Sequence, residues 1–162
     1  MPIKKLLVAN RGEIAIRVFR AAVELNIKTV AVYTYEDRYS LHRYKADESY
    51  QIGSEDDPLK PYLDIEEIIY VAQHHQVDAI HPGYGFLSEN ALFAQRCKEE
   101  GIIFIGPDPS VMKALGDKML AKKVATEANV PIIQDSQVDL LTLEIALQEA
   151  NRIGYPLMIK AD

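Results

Sequence analysis

Ile3-Lys4-Lys5-Leu6-Leu7-Val8-Ala9, followed by Asn10-Arg11-Gly12, decides how this chain folds. The apolar run reads as a short buried strand and the three residues after it as a turn. Apolar residues then recur at Ile14, Ala15, Val18, Ala21, Ala22 and Leu25, which is one face of a helix. Asn26 tolerates the left-handed backbone that ends such a helix. A second β-branched run from Lys28 to Tyr33 completes a β-α-β unit. Its strands are expected to be parallel and its crossover right-handed.

Outward from this unit the alternation continues. Thr34 to Lys45 is polar and aromatic, and Ser49 to Ile52 is a short strand. Gly53 to Pro61 is a turn-rich loop. Asp64 caps a helix, with Glu67 at the capping-box position and Ile65, Ile68, Ile69 and Ala72 on one face. Asp78-Ala79-Ile80 is a strand that feeds His81-Pro82-Gly83-Tyr84-Gly85. Ser88 is placed to cap the following helix, Gly101 ends it, and Ile102 to Ile105 is another strand, closed by Gly106-Pro107. This order predicts an α/β fold, a Rossmann-like open and mostly parallel sheet with helices on both faces. Beyond it, Asp117 precedes a helix over Lys118 to Ala128, a second helix runs from about Thr142 to Arg152, and Leu157 to Ala161 reads as a buried strand. The boundary falls within Asp108 to Gly116, giving domains at 1–112 and 113–162.

Composition narrows the function classes. The 162 residues carry a net charge of -6, so clustered Lys and Arg for a nucleic-acid backbone are lacking. One cysteine, Cys97, cannot build a disulfide framework and reads as a small core residue. No apolar run approaches membrane-spanning length, and the N-terminus leads into a strand without a signal-peptide pattern. A cytoplasmic protein without nucleic-acid or membrane partners is expected.

The first β-α turn is where a dinucleotide fingerprint would sit, but it holds a single glycine, Gly12, and Glu13 would repel phosphate. NAD and FAD are rejected there. Arg17, Arg20 and Glu24 project from the opposite helix face, as solvated surface or as a subunit contact. His81 to Asn90 follows the carboxyl end of a strand, the edge where open α/β sheets bind ligands. Two glycines beside Tyr84 let backbone N–H groups approach a small ligand; a tight turn into a helix is the structural alternative. His81 reads as a hydrogen-bonded turn residue, and His74-His75 lacks a third metal ligand. Lys118 lies in the first turn of a helix. Lys160 sits in an apolar strand, where a cation needs an anionic partner unless the strand is an exposed edge.

Val8-Ala9-Asn10-Arg11-Gly12-Glu13-Ile14-Ala15-Ile16-Arg17, Lys45-Ala46-Asp47-Glu48, His81 to Asn90, Phe104-Ile105-Gly106-Pro107, Gly116-Asp117-Lys118, Ile153-Gly154-Tyr155-Pro156 and Ile159-Lys160-Ala161 together resemble the start of biotin carboxylase, in order and spacing. Asp37 to Tyr50 is most similar to the biotin carboxylase domain of pyruvate carboxylases. The resemblance implies a pre-ATP-grasp domain followed by the start of an ATP-grasp domain. It implies a ligase in which MgATP phosphorylates bicarbonate, and the resulting CO2 carboxylates biotin on a carrier domain. By position it implies ATP-phosphate contacts at Lys118 and Lys160, a biotin pocket at Tyr84, Gly85 and Glu89, and a homo-oligomer interface at Arg17, Arg20 and Glu24. The family's glycine-rich ATP loop, Mg2+ ligands and catalytic residues lie further on, so this chain alone is expected to be inactive and to hold no catalytic residue. Gln134-Asp135 stands where the family usually has Pro-Gly. The alternatives are the same domain of an acyl-CoA carboxylase, another ATP-grasp ligase, or a non-catalytic Rossmann-like module for dimerisation or binding.

Overall fold

The structure, a computed structural model, describes residues 2–54, 57–133, 136, 138 and 140–159, without the side chains of Lys118 and Met119. It divides into two compact units, 1–117 and 118–162.

The first unit is built on five parallel strands: β1 (Lys5–Val8), β2 (Lys28–Tyr33), β3 (Glu48–Gln51), β4 (Ala79–His81) and β5 (Ile103–Phe104). Their spatial order is β3-β2-β1-β4-β5. This is the open parallel α/β sheet that the sequence predicts. Alternate residues of each strand face opposite sides. Leu7, Ala9, Val30, Val32 and Ile80 enter the larger core with Tyr62, Ile68, Ile69, Ala72, Leu87, Phe93 and Cys97. Val8 and Ala31 face the other way, onto Ala15 and Phe19. Strands buried on both faces must be apolar throughout, which is why β1 and β2 read as continuous hydrophobic runs.

Helix α1 (Gly12–Glu24) covers one face through Ala15, Phe19 and Ala22. The buried stripe is narrower than the sequence suggests. Ala21 and Leu25 are exposed, Leu25 being the residue that ends the helix, and the bulky member of the stripe is Phe19. Asn26 takes the left-handed conformation that releases the chain into β2. The polar stretch after β2 holds a 3-10 turn (Glu36–Tyr39) and a short helix, α2 (Leu41–Lys45). Asp47 then pins β3 to β2: its carboxylate accepts from the backbone N–H of Thr29 at 2.8 Å and from the Thr29 hydroxyl at 2.7 Å.

On the other face lie α3 (Ile65–His74) and α4 (Ala91–Glu99). Asp64 caps α3 by accepting from the Glu67 N–H at 3.0 Å. The Glu67 carboxylate accepts from Gly53 N–H at 2.7 Å, which ties the turn after β3 to this helix. Asn90, and not Ser88, caps α4, accepting from Phe93 N–H at 3.0 Å. Bonds from Ser88 N–H to Gly85 and from Asn90 N–H to Leu87 keep the preceding residues in turns and delay the helix. The Cys97 thiol is buried, and burial pushes its pKa up to about 12, as a core residue requires. Helix α5 (Pro109–Gly116), capped by Asp108, completes this unit.

The second unit contains α6 (Lys118–Glu127) and α7 (Leu143–Ile153), the latter capped by Thr142. Residues 157–159 are irregular, with Met158 and Ile159 almost fully exposed, so the predicted strand is not formed there. A strand needs a neighbour to satisfy its backbone, and no described residue of this unit belongs to a strand. Lys160 and Gln134-Asp135 lie outside the described residues. No described helix is long and apolar enough to cross a membrane.

One buried charge braces the first unit. Asp37, 3% exposed, accepts from Arg11 Nε and a second guanidinium nitrogen, each at 2.5 Å, from Tyr62 at 2.8 Å and from Ser40 at 2.8 Å. Burial alone would raise the Asp37 pKa, but the bonds from Arg11, Tyr62 and Ser40 outweigh it and hold the value at about 2 against an ordinary 3.8. The folded-state pKa is lowered, so this contribution to stability is complete above about pH 4 and is lost as pH falls toward about 2. Tyr62→Phe is expected to cost about 1–2 kcal/mol by leaving Asp37 short of a donor. Urea denaturation at pH 7 and pH 3 checks both statements, the wild type losing more stability between these values than Asp37→Asn.

Candidate functional site

The sheet order reverses between β1 and β4. From β1 the chain proceeds to β2 and β3 on one side, and β4 and β5 lie on the other. The crevice at the carboxyl ends of β1 and β4 is therefore the switch point where open α/β sheets bind ligands. Asn10 and Arg11 leave β1 there, and Pro82 to Gly85 leave β4.

This second turn is held from below. Leu87 is buried in the main core, and Phe86 stacks on Tyr62 with ring centroids 5.2 Å apart. His81 Nδ1 accepts from Gly83 N–H at 2.9 Å. Burial pushes the His81 pKa down, so the ring is neutral at pH 7 and that nitrogen is occupied. His81 is thus the turn residue expected from sequence. Gly83 is required twice over. Its φ is +68°, and a Cβ there would lie 2.6 Å from Asn10 Nδ2 and 2.7 Å from Ile14 Cγ2. Gly85 has φ +69° but open space around it.

Tyr84 and Gly85 are exposed within this turn, and Glu89 is exposed four residues further on, just before α4. The Tyr84 hydroxyl donates to Glu13 Oε1 at 3.2 Å, which lays the ring toward the start of α1. That bond to Glu13 also raises the Tyr84 pKa. Among the described residues, nothing accepts from the N–H groups of Tyr84 and Gly85. The turn thus offers an exposed aromatic ring and free backbone donors, which suit a small polar ring. Among the described residues no group of three or more His, Cys, Asp or Glu side chains could hold a metal ion. His75 instead stacks on Tyr50, with centroids 3.4 Å apart.

Arg17, Arg20 and Glu24 are exposed on α1, spaced as one stripe along the helix. Lys118 opens α6 in the second unit, its side chain being outside the described residues, as is Lys160. The burial of Asn10, Asp37 and Tyr62 is not apparent from the sequence. An asparagine directly after a buried strand is the one signal that pointed to the first. Asp37 and Tyr62 are polar residues in short 3-10 turns, and nothing in their spacing announces burial.

Comparison with known proteins identifies the family. Residues 2–112 match the family described as biotin carboxylase, N-terminal domain, and residues 117–162 match the carbamoyl-phosphate synthase L chain, ATP binding domain. The chain belongs to the biotin carboxylase N-terminal domain family. It is 59% identical over 159 residues to pyruvate carboxylase of Staphylococcus aureus and 57% identical to that of Bacillus subtilis, in each case over 98% of this chain. The chain spans 14% of the length of either relative. Among solved structures, the biotin carboxylase domain dimer of the Hydrogenobacter thermophilus 2-oxoglutarate carboxylase, in complex with MgADP, ADP and bicarbonate, superposes with a TM-score of 0.86. It is 48% identical, over 96% of this chain and 34% of that one.

The two glycines of the turn are expected to respond differently to substitution. Gly85→Ala carries only the left-handed backbone penalty of about 1 kcal/mol. Gly83→Ala adds a clash with buried neighbours and is expected to cost about 3 kcal/mol in total. Denaturant midpoints of the two variants provide the comparison.

Proposed function

We propose that this chain is part of the biotin carboxylase component of a pyruvate carboxylase, which uses ATP and bicarbonate to carboxylate carrier-bound biotin. The observation that carries this reading is the identity to pyruvate carboxylases over 98% of the chain, with the glycine turn standing at the switch point of the sheet. Tyr84, Gly85 and Glu89 form one wall of the biotin pocket. Lys118 and Lys160 neutralise ATP phosphates, a task for cations because the transferred phosphoryl group carries its charge into the transition state. Arg17, Arg20 and Glu24 meet a second copy of the chain. The domains divide at 112/113, the second opening an ATP-grasp fold. Mg2+ binds with ATP through residues beyond this segment. The free, buried Cys97 suits a cytoplasmic setting.

A 2-oxoglutarate acceptor is the second reading, favoured by the Hydrogenobacter thermophilus neighbour at 48% identity. The part of the enzyme that transfers the carboxyl group selects the acceptor, and the higher identities fall to pyruvate carboxylases.

The full-length protein is expected to cleave ATP in a bicarbonate-dependent reaction and to fix labelled bicarbonate into oxaloacetate when given pyruvate. Residues 1–162 alone are expected to show no such ATP cleavage. Label in the product of 2-oxoglutarate and none in oxaloacetate would transfer the assignment to the second reading. In the full-length enzyme, Lys118→Ala is expected to raise the KM for ATP by about tenfold or more, read from initial rates.

A further inference from the structure

We infer that Asn10 is the positioning residue of the glycine turn, the group that aims the Gly85 N–H at the ligand. The inference rests on the assignment of Tyr84 and Gly85 to the biotin pocket. Asn10 is completely buried at the end of β1. Its amide nitrogen donates to the carbonyl of Pro82 at 2.8 Å and to the carbonyl of Tyr84 at 3.0 Å. Those two carbonyls flank Gly83. The amide oxygen accepts from Arg11 N–H at 2.9 Å. This last bond fixes which end of the amide carries the hydrogens, since only the nitrogen end can serve two carbonyls.

The consequence follows from the planarity of the peptide group. In a trans peptide the C=O and the following N–H point in opposite directions. Drawing the Pro82 carbonyl onto Asn10 turns the Gly83 N–H away, where His81 Nδ1 takes it. Drawing the Tyr84 carbonyl onto Asn10 turns the Gly85 N–H away as well. Nothing among the described residues takes that one, and Gly85 is exposed with open space beside it. One side chain thereby sets both peptide planes and, of their two N–H groups, leaves that of Gly85 facing outward. Gly83 packs so tightly on the Asn10 amide that any Cβ would force the two apart. An acceptor atom on a small polar ring is the ligand group such a donor fits, and an aspartate at position 10 would repel the same two carbonyls.

The test uses the full-length carboxylase and free biotin, with ATP cleavage as the readout. Asn10→Asp and Asn10→Ser are each expected to raise the KM for biotin by about tenfold or more, as misplacement of a positioned group does, with the KM for ATP within about twofold of wild type. A selective rise in the biotin KM supports the inference. It is overturned if the biotin KM is unchanged in folded variants, if biotin and ATP parameters deteriorate together with a lowered melting temperature, or if neither variant folds. Absence of biotin-stimulated ATP cleavage in the wild type overturns the proposed function itself, which separates that failure from this one.

Discussion

Strand β1 has no free edge and, past Lys5, no free face. Both its edges are paired, to β2 and β4, and both its faces are covered, with Leu7 in one core and Val8 in the other. Burying such side chains contributes about 1.5–3 kcal/mol each, so the strand cannot shift without losing several of them at once. The residues that leave it therefore have little slack. Asn10 reaches sideways to the turn after β4, and Arg11 reaches to Asp37 beyond β2. The same strand end thus fixes the turns on either side of it, and the site inherits its rigidity from the core.

The Arg11–Asp37 pair has a second role. Through Tyr62 it links the 3-10 turn after β2 to the entry of α3, and Tyr62 in turn carries Phe86 of the glycine turn. A buried ion pair is weak grounds for stability, because desolvation offsets much of the attraction. Its value here is in fixing where four separate loops meet. Hydrogen bonds to Asp37 from three different residues do that with a directionality apolar contacts lack.

Much of this was legible in the sequence. The parallel sheet followed from apolar runs alternating with helical periods, and the glycine turn stood out because two glycines flank Tyr84 just past the carboxyl end of a strand. Helix ends at Asn26 and Gly101 were legible because left-handed residues are chemically conspicuous. Phe19 was overlooked, although it lies four residues from Ala15 and three from Ala22, the spacing of a buried stripe. The cap of α4 was misplaced because Ser88 and Asn90 are both competent, and only the turns preceding the helix choose between them. Asp37 was invisible because its burial depends on Arg11 and Tyr62 arriving from distant segments. The Leu157 to Ala161 reading failed at 157–159 because periodicity reports what a segment can bury, and pairing needs a neighbouring strand. In the described second unit, α7 has no buried residue and Ile133, Leu141 and Leu143 are largely exposed.

Cys97 carries a practical corollary. It is the one thiol of the chain, it sits on the inner face of α4, and burial keeps it protonated at neutral pH. A thiol in that state does not react with alkylating reagents until α4 lifts from the sheet. Its rate of modification is therefore an intrinsic clock for the opening of the helix that the glycine turn leads into, readable by mass spectrometry without introducing any label site.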